Sequence, residues 1–264
     1  MRKIAFKIFL FFNFLLFANC GIFTDPDRGV TPYSKFLSVL FSDRSPATVT
    51  SVLPKDKSTG NFINTNLFVV FNKTVSGFNT TNFTVSSDGG TTNHPGTVSI
   101  SDKVVTFTPS INFNSNATYK VTLKAGSSLS TDYSFTFSTG NLSDTTPPSI
   151  SSTNPLTGDT NMPINITISA TLSETVDPNT VNSSTMIVSG GVSGTVVLSD
   201  QTISFKPNTN LPVNTTLAVT IKSGIKDLAG NTMSSQYSWT FTTGSTVATN
   251  CVFDTSTFDS CLYE

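Results

Sequence analysis

The chain repeats itself, and the repeat sets what it can fold into. Tyr133-Ser134-Phe135-Thr136-Phe137-Ser138-Thr139-Gly140 returns as Tyr237-Ser238-Trp239-Thr240-Phe241-Thr242-Thr243-Gly244. Upstream, Leu53-Pro54 through Phe71-Asn72-Lys73-Thr74-Val75 matches Asn154-Pro155 through Leu172-Ser173-Glu174-Thr175-Val176. Between them, Val105-Thr106-Phe107-Thr108-Pro109 matches Ile203-Ser204-Phe205-Lys206-Pro207. Three blocks in one order mean two copies of one unit, each a little under about a hundred residues. That period is too long for a solenoid repeat and suits two small domains in tandem.

Within each copy, apolar residues alternate with polar ones over short runs bounded by Gly, Pro, Asn and Asp. This is the pattern of strands with one buried face. In the first copy the inward set is Leu67, Val69 and Phe71; Val105 and Phe107; Tyr119, Val121 and Leu123; then Tyr133, Phe135 and Phe137. In the second it is Ile168, Ala170 and Leu172; Ile203 and Phe205; Leu217, Val219 and Ile221; then Tyr237, Trp239 and Phe241. Intervening Thr, Ser and Lys are expected to face water. No 3.6-residue apolar pattern follows the N-terminal segment. About seven strands in about 100 residues predict an all-β fold of two tandem Ig-like β-sandwiches, each large enough to fold without a disulfide.

Both repeats resemble the bacterial Ig-like domains of S-layer and other surface proteins, the Big_5-like group. The resemblance rests on the segment from Pro155 to Ile164, the strand end from Phe71 to Val75, and the closing Phe-Thr-Phe or Trp-Thr-Phe with its Thr-Gly. The second repeat adds Lys226-Asp227-Leu228-Ala229-Gly230-Asn231, a loop typical of that group. The first runs Gly126-Ser127-Ser128-Leu129 instead and is six residues shorter there. The likeness spans about residues 48–244. It implies a cell-surface role, with adhesion to a host matrix as one form of it.

The expected organisation is a signal peptide (1–19), a lipidated N-terminus and tether (20–47), one Ig-like domain (48–140), a linker (141–148), a second Ig-like domain (149–244) and a tail (245–264). Pro147-Pro148 favours an extended, stiff connection, so the domains are expected to stack end to end like beads. Arg2, Lys3 and Lys7 precede an apolar run from Ile8 to Phe17 of signal-peptide length. It ends at Leu16-Phe17-Ala18-Asn19-Cys20-Gly21, which resembles the lipobox of bacterial lipoproteins, in the looser form of spirochaetes. Phe17 stands where Leu is commoner, and Asn19 where Gly or Ala is usual. The resemblance implies acylation at Cys20; an ordinary secretory signal with an incidental Cys20 is the alternative. Each buried CH₂ of an acyl chain adds about 0.8 kcal/mol, so several chains anchor a protein stably. This places the chain in the bacterial cell envelope, at the outer membrane or the cell surface.

Without residues 1–19 there remain 12 Lys and Arg against 16 Asp and Glu, and no basic cluster to engage nucleic acid. Cys251 and Cys261, in an exported tail, suggest a disulfide, with free thiols as the alternative. His94 sits in a turn before Pro95, with Asp88, Ser86 and Ser87 near in sequence, and reads as an exposed turn residue without a partner. Trp239 reads as core. Asp227 and Asn231 are weak calcium candidates, with Asp159, Glu174 and Asp177 elsewhere in the repeat. The competing reading is a turn closed by side-chain-to-backbone bonds, with Gly230 at positive φ.

No cofactor, catalytic residue or small-molecule substrate is suggested, and a general base with an orienting partner is not evident. The expected function is a non-enzymatic spacer or protein-binding module on a membrane anchor. A self-assembling envelope-layer component and accessory domains of an enzyme system are the alternatives.

Overall fold

A computed structural model describes residues 45–87, 92–126 and 128–248. Both repeats fold as β-sandwiches within one compact unit that begins at Pro46. The first contains β1 (Val49–Leu53), β2 (Ser58–Asn61), β3 (Leu67–Phe71), β4 (Phe83–Ser87), β5 (Gly96–Ser101), β6 (Val104–Pro109), β7 (Thr118–Leu123) and β8 (Tyr133–Thr139). The second contains β9 (Ile150–Asn154), β10 (Ile168–Leu172), β11 (Met186–Val188), β12 (Gly194–Ser199), β13 (Thr202–Pro207), β14 (Thr216–Ile221) and β15 (Tyr237–Thr242). The one helical element among the described residues is a single 3₁₀ turn, Pro178–Thr180, opened by Asp177, whose carboxylate accepts the Asn179 N–H.

Sheets in the order β1-β3-β6-β5 and β2-β8-β7-β4 face each other in the first sandwich. In the second the orders are β9-β10-β13-β12 and β11-β14-β15. The pairs are antiparallel except β2 with β8. No strand of the second sandwich corresponds to β2. There the chain runs beside β15 through a parallel bridge from Met162 to Thr243.

The expected inward residues form two separate cores, and two of the expected set depart from it. Tyr133 only packs on the edge of the first core. Tyr237, at the start of β15, is 39% exposed. A strand's first residue lies at the rim of the sandwich, where the facing sheet no longer covers it. Trp239 is buried in the second core, at the place Phe135 takes in the first.

Two features of the repeat now have physical causes. Gly96 and Gly194 open equivalent hairpin strands, and a Cβ at either would collide with the ring of Phe107 or Phe205 on the neighbouring strand. The Thr of the closing Thr-Gly is buried in both copies. Thr139 Oγ1 donates to the Asn114 carbonyl at 2.6 Å and accepts the Ala117 N–H at 3.0 Å. Thr243 Oγ1 does the same with the Pro212 carbonyl, 2.6 Å, and the Thr215 N–H, 2.9 Å. Buried backbone groups at the end of the sandwich are thereby satisfied.

Ala47, just before β1, is buried in the first core and donates its N–H to the Ser128 carbonyl.

Candidate functional site

Strand β3 reads Leu67-Phe68-Val69-Val70-Phe71 without a polar residue. Leu67, Val69 and Phe71 enter the first core, so alternation turns Phe68 and Val70 to the outer face of the sheet. Phe68 is nevertheless fully buried and belongs to neither core. Its neighbours across the sheet, on the same face, are Leu53 and Thr106. The Thr106 hydroxyl accepts from Asn179 Nδ2 of the second sandwich at 3.1 Å. Two residues before Phe68, the Asn66 N–H donates to the Leu228 carbonyl of the second sandwich at 2.7 Å. The second sandwich therefore closes over this face on both sides of Phe68.

End-to-end stacking on an extended linker is the expectation, and the linker departs from a free strap. An extended linker predicts solvated residues, yet Asp144 and Pro148 are buried. Asn64 clamps the linker from the side: its amide donates to the Asp144 carbonyl and accepts the Asp144 N–H, both at 2.8 Å. At the far end of the second sandwich, Asn165 holds Ala248 through the same pair of bonds. Each sandwich thus binds the chain that leaves it, the first against a docked neighbour.

The docking platform of the second sandwich is the loop Lys226–Asn231, which the first repeat lacks. It is braced on the 3₁₀ turn: Asp177 N–H donates to the Lys226 carbonyl, and Lys226 N–H donates to Thr180 Oγ1. Inside the loop Asp227 accepts the Asn231 N–H at 2.8 Å and Asn231 Nδ2 at 2.7 Å. Gly230 has φ +96°, a conformation other residues adopt at a cost. The turn reading of Asp227 and Asn231 describes this geometry, and it adds a role in docking that spacing did not reveal.

Asp227 also meets two other acids. Asp144 from the linker, Glu174 from the segment after β10, and Asp227 from the loop bring carboxylate oxygens within 4.8 Å of one another. Burial, then the charges of Asp144 and Asp227, then a hydrogen bond with Asp144 push the Glu174 carboxyl up to about 7. Burial likewise raises Asp177, against its bonds to Asn179 and the charge of Lys226. Neither Asp159 nor Asp177 joins the cluster. A divalent cation here would meet three carboxylates, each able to give one or two of the six to eight oxygens that calcium takes; both oxygens of Asp227 also accept hydrogen bonds from Asn231.

At the rim of the joint, Lys55 Nζ and Asp200 Oδ1 lie 2.7 Å apart, both side chains largely exposed; such a pair contributes little. A cavity of about 420 Å³ remains between β1 with Tyr133 on one side and Pro178, Leu198 and Asp200 on the other.

His94 is not the free turn residue expected. Its ring stacks on Phe113 at 4.4 Å and meets the edge of Tyr119 at 5.6 Å. Its Nε2 lies 3.0 Å from the Ile111 carbonyl. Asp88 lies outside the described residues, as do Cys20, Cys251 and Cys261.

Two tandem domains of one sandwich type, with matched closing motifs, are what a family model should detect twice. The bacterial Ig-like domain (Big_5) matches residues 43–139 and again residues 144–243. The chain belongs to the bacterial Ig-like domain family. Bacterial Ig-like domains of this group occur in surface proteins and are typically non-catalytic. No match was found among curated proteins.

Several solved structures are similar at low identity. A chimeric titin Z1Z2 carrying a decorin peptide is 14% identical, with 78% of this chain and 98% of that chain covered and a TM-score of 0.31. The N-terminal part of the bacterial S-layer protein SbsC is 14% identical over 79% of this chain and 47% of that chain, with a TM-score of 0.30. L,D-transpeptidase 3 from Mycobacterium tuberculosis is 18% identical over 50% of this chain and 49% of that one, with a TM-score of 0.25. Among the described residues, no helix is long and apolar enough to cross a membrane.

Proposed function

We propose that this chain is a lipid-anchored surface module of the bacterial envelope, non-enzymatic, in which two docked Ig-like domains hold a protein-binding surface away from the membrane. The observation that supports it most is the joint. Two sandwiches that bury Phe68 and Asp144 between them form a stiffer unit than two beads on a strap, and a spacer works by being stiff. Binding then falls to the loops and strand edges, because the inward aromatics are committed to the cores. Contact with a host matrix is one form such binding takes.

The anchor in this reading is an acylated Cys20. Replacing Cys20 with Ser should abolish acyl labelling and detergent-phase partitioning of the full chain; unchanged partitioning would refute the anchor. Protease treatment of intact cells should cleave the protein if it faces outward. Protection until the outer membrane is permeabilised would assign it to the periplasm and overturn the surface role.

A further inference from the structure

Among the described residues, strand β1 pairs with β3 alone and ends its sheet. Alternate backbone N–H and C=O groups on its other side are therefore outside the sheet's own ladder. The cavity of about 420 Å³ at the joint touches every residue from Val49 to Leu53. Val52 enters the first core, while Leu53 shares the outer face with Phe68. A space that reaches both runs along the edge of the strand, not over one face. The facing sheet leaves room there too. β2 joins β8 at Phe137 and Thr139, and the Lys57 N–H reaches the Thr136 carbonyl, so β2 stops short of Tyr133, which lines the cavity. Pro178 and Leu198 of the second sandwich supply the outer wall.

The open edge is short. The register shifts at Thr50, whose hydroxyl donates to the Val70 carbonyl, and Pro54 follows β1 with no N–H to offer. Ser51–Leu53 is the regular stretch between them. Bulge, proline and the overhanging second sandwich all oppose pairing with the edge of another folded sheet. A single extended strand needs only one ladder step, about 4.8 Å. Leu53, Val70 and Leu198 make the wall apolar, and Leu53 and Val70 continue the outer face on which Phe68 is already buried by docking. At the mouth Lys55 is paired with Asp200, and Asp56 adds a second carboxylate. The rim therefore favours a cation.

We propose that this groove takes a short extended peptide of a partner protein, added as a strand beside Ser51–Leu53, with alternating apolar side chains and a Lys or Arg at the rim. The site gives the protein-binding reading above its surface and rests on it. The added backbone satisfies the open edge of β1. One row of its side chains meets Tyr133, and the other meets Leu53, Val70 and Leu198.

The test is selection of short linear peptides from a displayed library on the full chain. The selected peptides are then synthesised, and hydrogen exchange is followed with and without them. They should alternate apolar residues, carry a basic one, and protect the amides of Ser51–Leu53 while leaving β14 unchanged. Ser51→Trp, at an exposed position on the groove wall, should weaken their binding at least about tenfold, and Ser51→Thr should leave it within about twofold. Should Ser51→Trp fail to fold by circular dichroism, Lys55→Trp at the mouth, where the side chain is 65% exposed, replaces it with the same expectation. Peptides that bind but protect only the end loops would overturn the groove and leave the protein-binding reading standing. Selected peptides whose binding both tryptophan variants leave unaltered would overturn it as well. A library that yields no binder also overturns it, without touching the surface display that protease treatment tests. Protection of Ser51–Leu53 that grows with the concentration of the chain alone would assign the edge to a second copy and defeat the proposal.

Discussion

On the outer face of the first sandwich stand Leu53, Phe68, Val70 and Val104; at the matching positions of the second stand Asn154, Ser169, Thr171 and Thr202. The inward positions of β3 and β6, and of β10 and β13, are apolar in both. One fold therefore carries two surfaces: the first sandwich has a face to be covered, and the second has a face to meet water. The loops invert the relation. The second sandwich owns the Lys226–Asn231 platform that does the covering, and the first, six residues shorter between its matching strands, lacks it. Socket and plug are written on different copies, so these two repeats specify the joint between them.

Converting the socket to its counterpart should break the comparison most severely. Phe68→Ser puts the second copy's residue into the first. It removes a fully buried aromatic side chain, a change that costs about 3–5 kcal/mol where the surroundings do not collapse. Denaturant unfolding followed by circular dichroism should shift by that amount, and the Asn66 amide, bonded to the Leu228 carbonyl, should lose protection. The cores stay intact, because Phe68 belongs to neither. A loss under about 1 kcal/mol would mean that Phe68 does not hold the joint.

The fold was legible because a sandwich is declared by its inward positions, and alternation at Val105, Phe107, Val219 and Phe241 is a local signal. The joint was half legible. Leu67–Phe71 is an unbroken apolar run, which marks a strand buried on both faces, whereas Ile168–Leu172 alternates cleanly. Reading only the shared pattern averaged that difference away. The carboxylate cluster was legible only in part: Asp227 and Glu174 stand out among the acids of the second repeat, and Asp144 of the linker does not. Asp144, Glu174 and Asp227 are far apart in sequence; the fold of the second sandwich brings Glu174 to Asp227, and the linker brings Asp144 to both. His94 misled for a similar reason: a residue before Pro95 looks like a turn tip, and its packing comes from Phe113 and Tyr119 on another part of the sheet.

That aromatic corner is the second place where the copies part. Phe113, Tyr119 and Phe137 stack under His94 in the first sandwich, and Tyr119 Oη accepts the Asn114 N–H at 2.8 Å. The second copy fills the equivalent space with Leu211, Leu217 and Phe241. His94→Ala should therefore cost about 1–2 kcal/mol, from ring stacking and the contact with the Ile111 carbonyl. The loss should be confined to the first sandwich. Residue-resolved exchange reads it directly: protection should fall in β7 and β8 and hold in β14 and β15. Equal losses in both would show that the corner is coupled through the joint, and no loss would restore the free-turn reading.

The smallest effect is expected where the copies differ least. Trp239 occupies the position of Phe135, with its ring 6.0 Å from Tyr237, and its indole N–H is buried without a hydrogen-bond partner among the described residues. An unpaired buried donor costs about 1–3 kcal/mol relative to one that is bonded. Trp239→Phe removes that donor and also some apolar area, and the two changes oppose each other. The first copy already closes its core with phenylalanine, against the same pattern of Val and Phe neighbours. The substitution should change stability by less than about 1 kcal/mol, measured by circular dichroism because this is the only tryptophan in the chain. A loss above about 3 kcal/mol would show that the indole N–H has a partner after all, and that the second core depends on a polar contact the first does without.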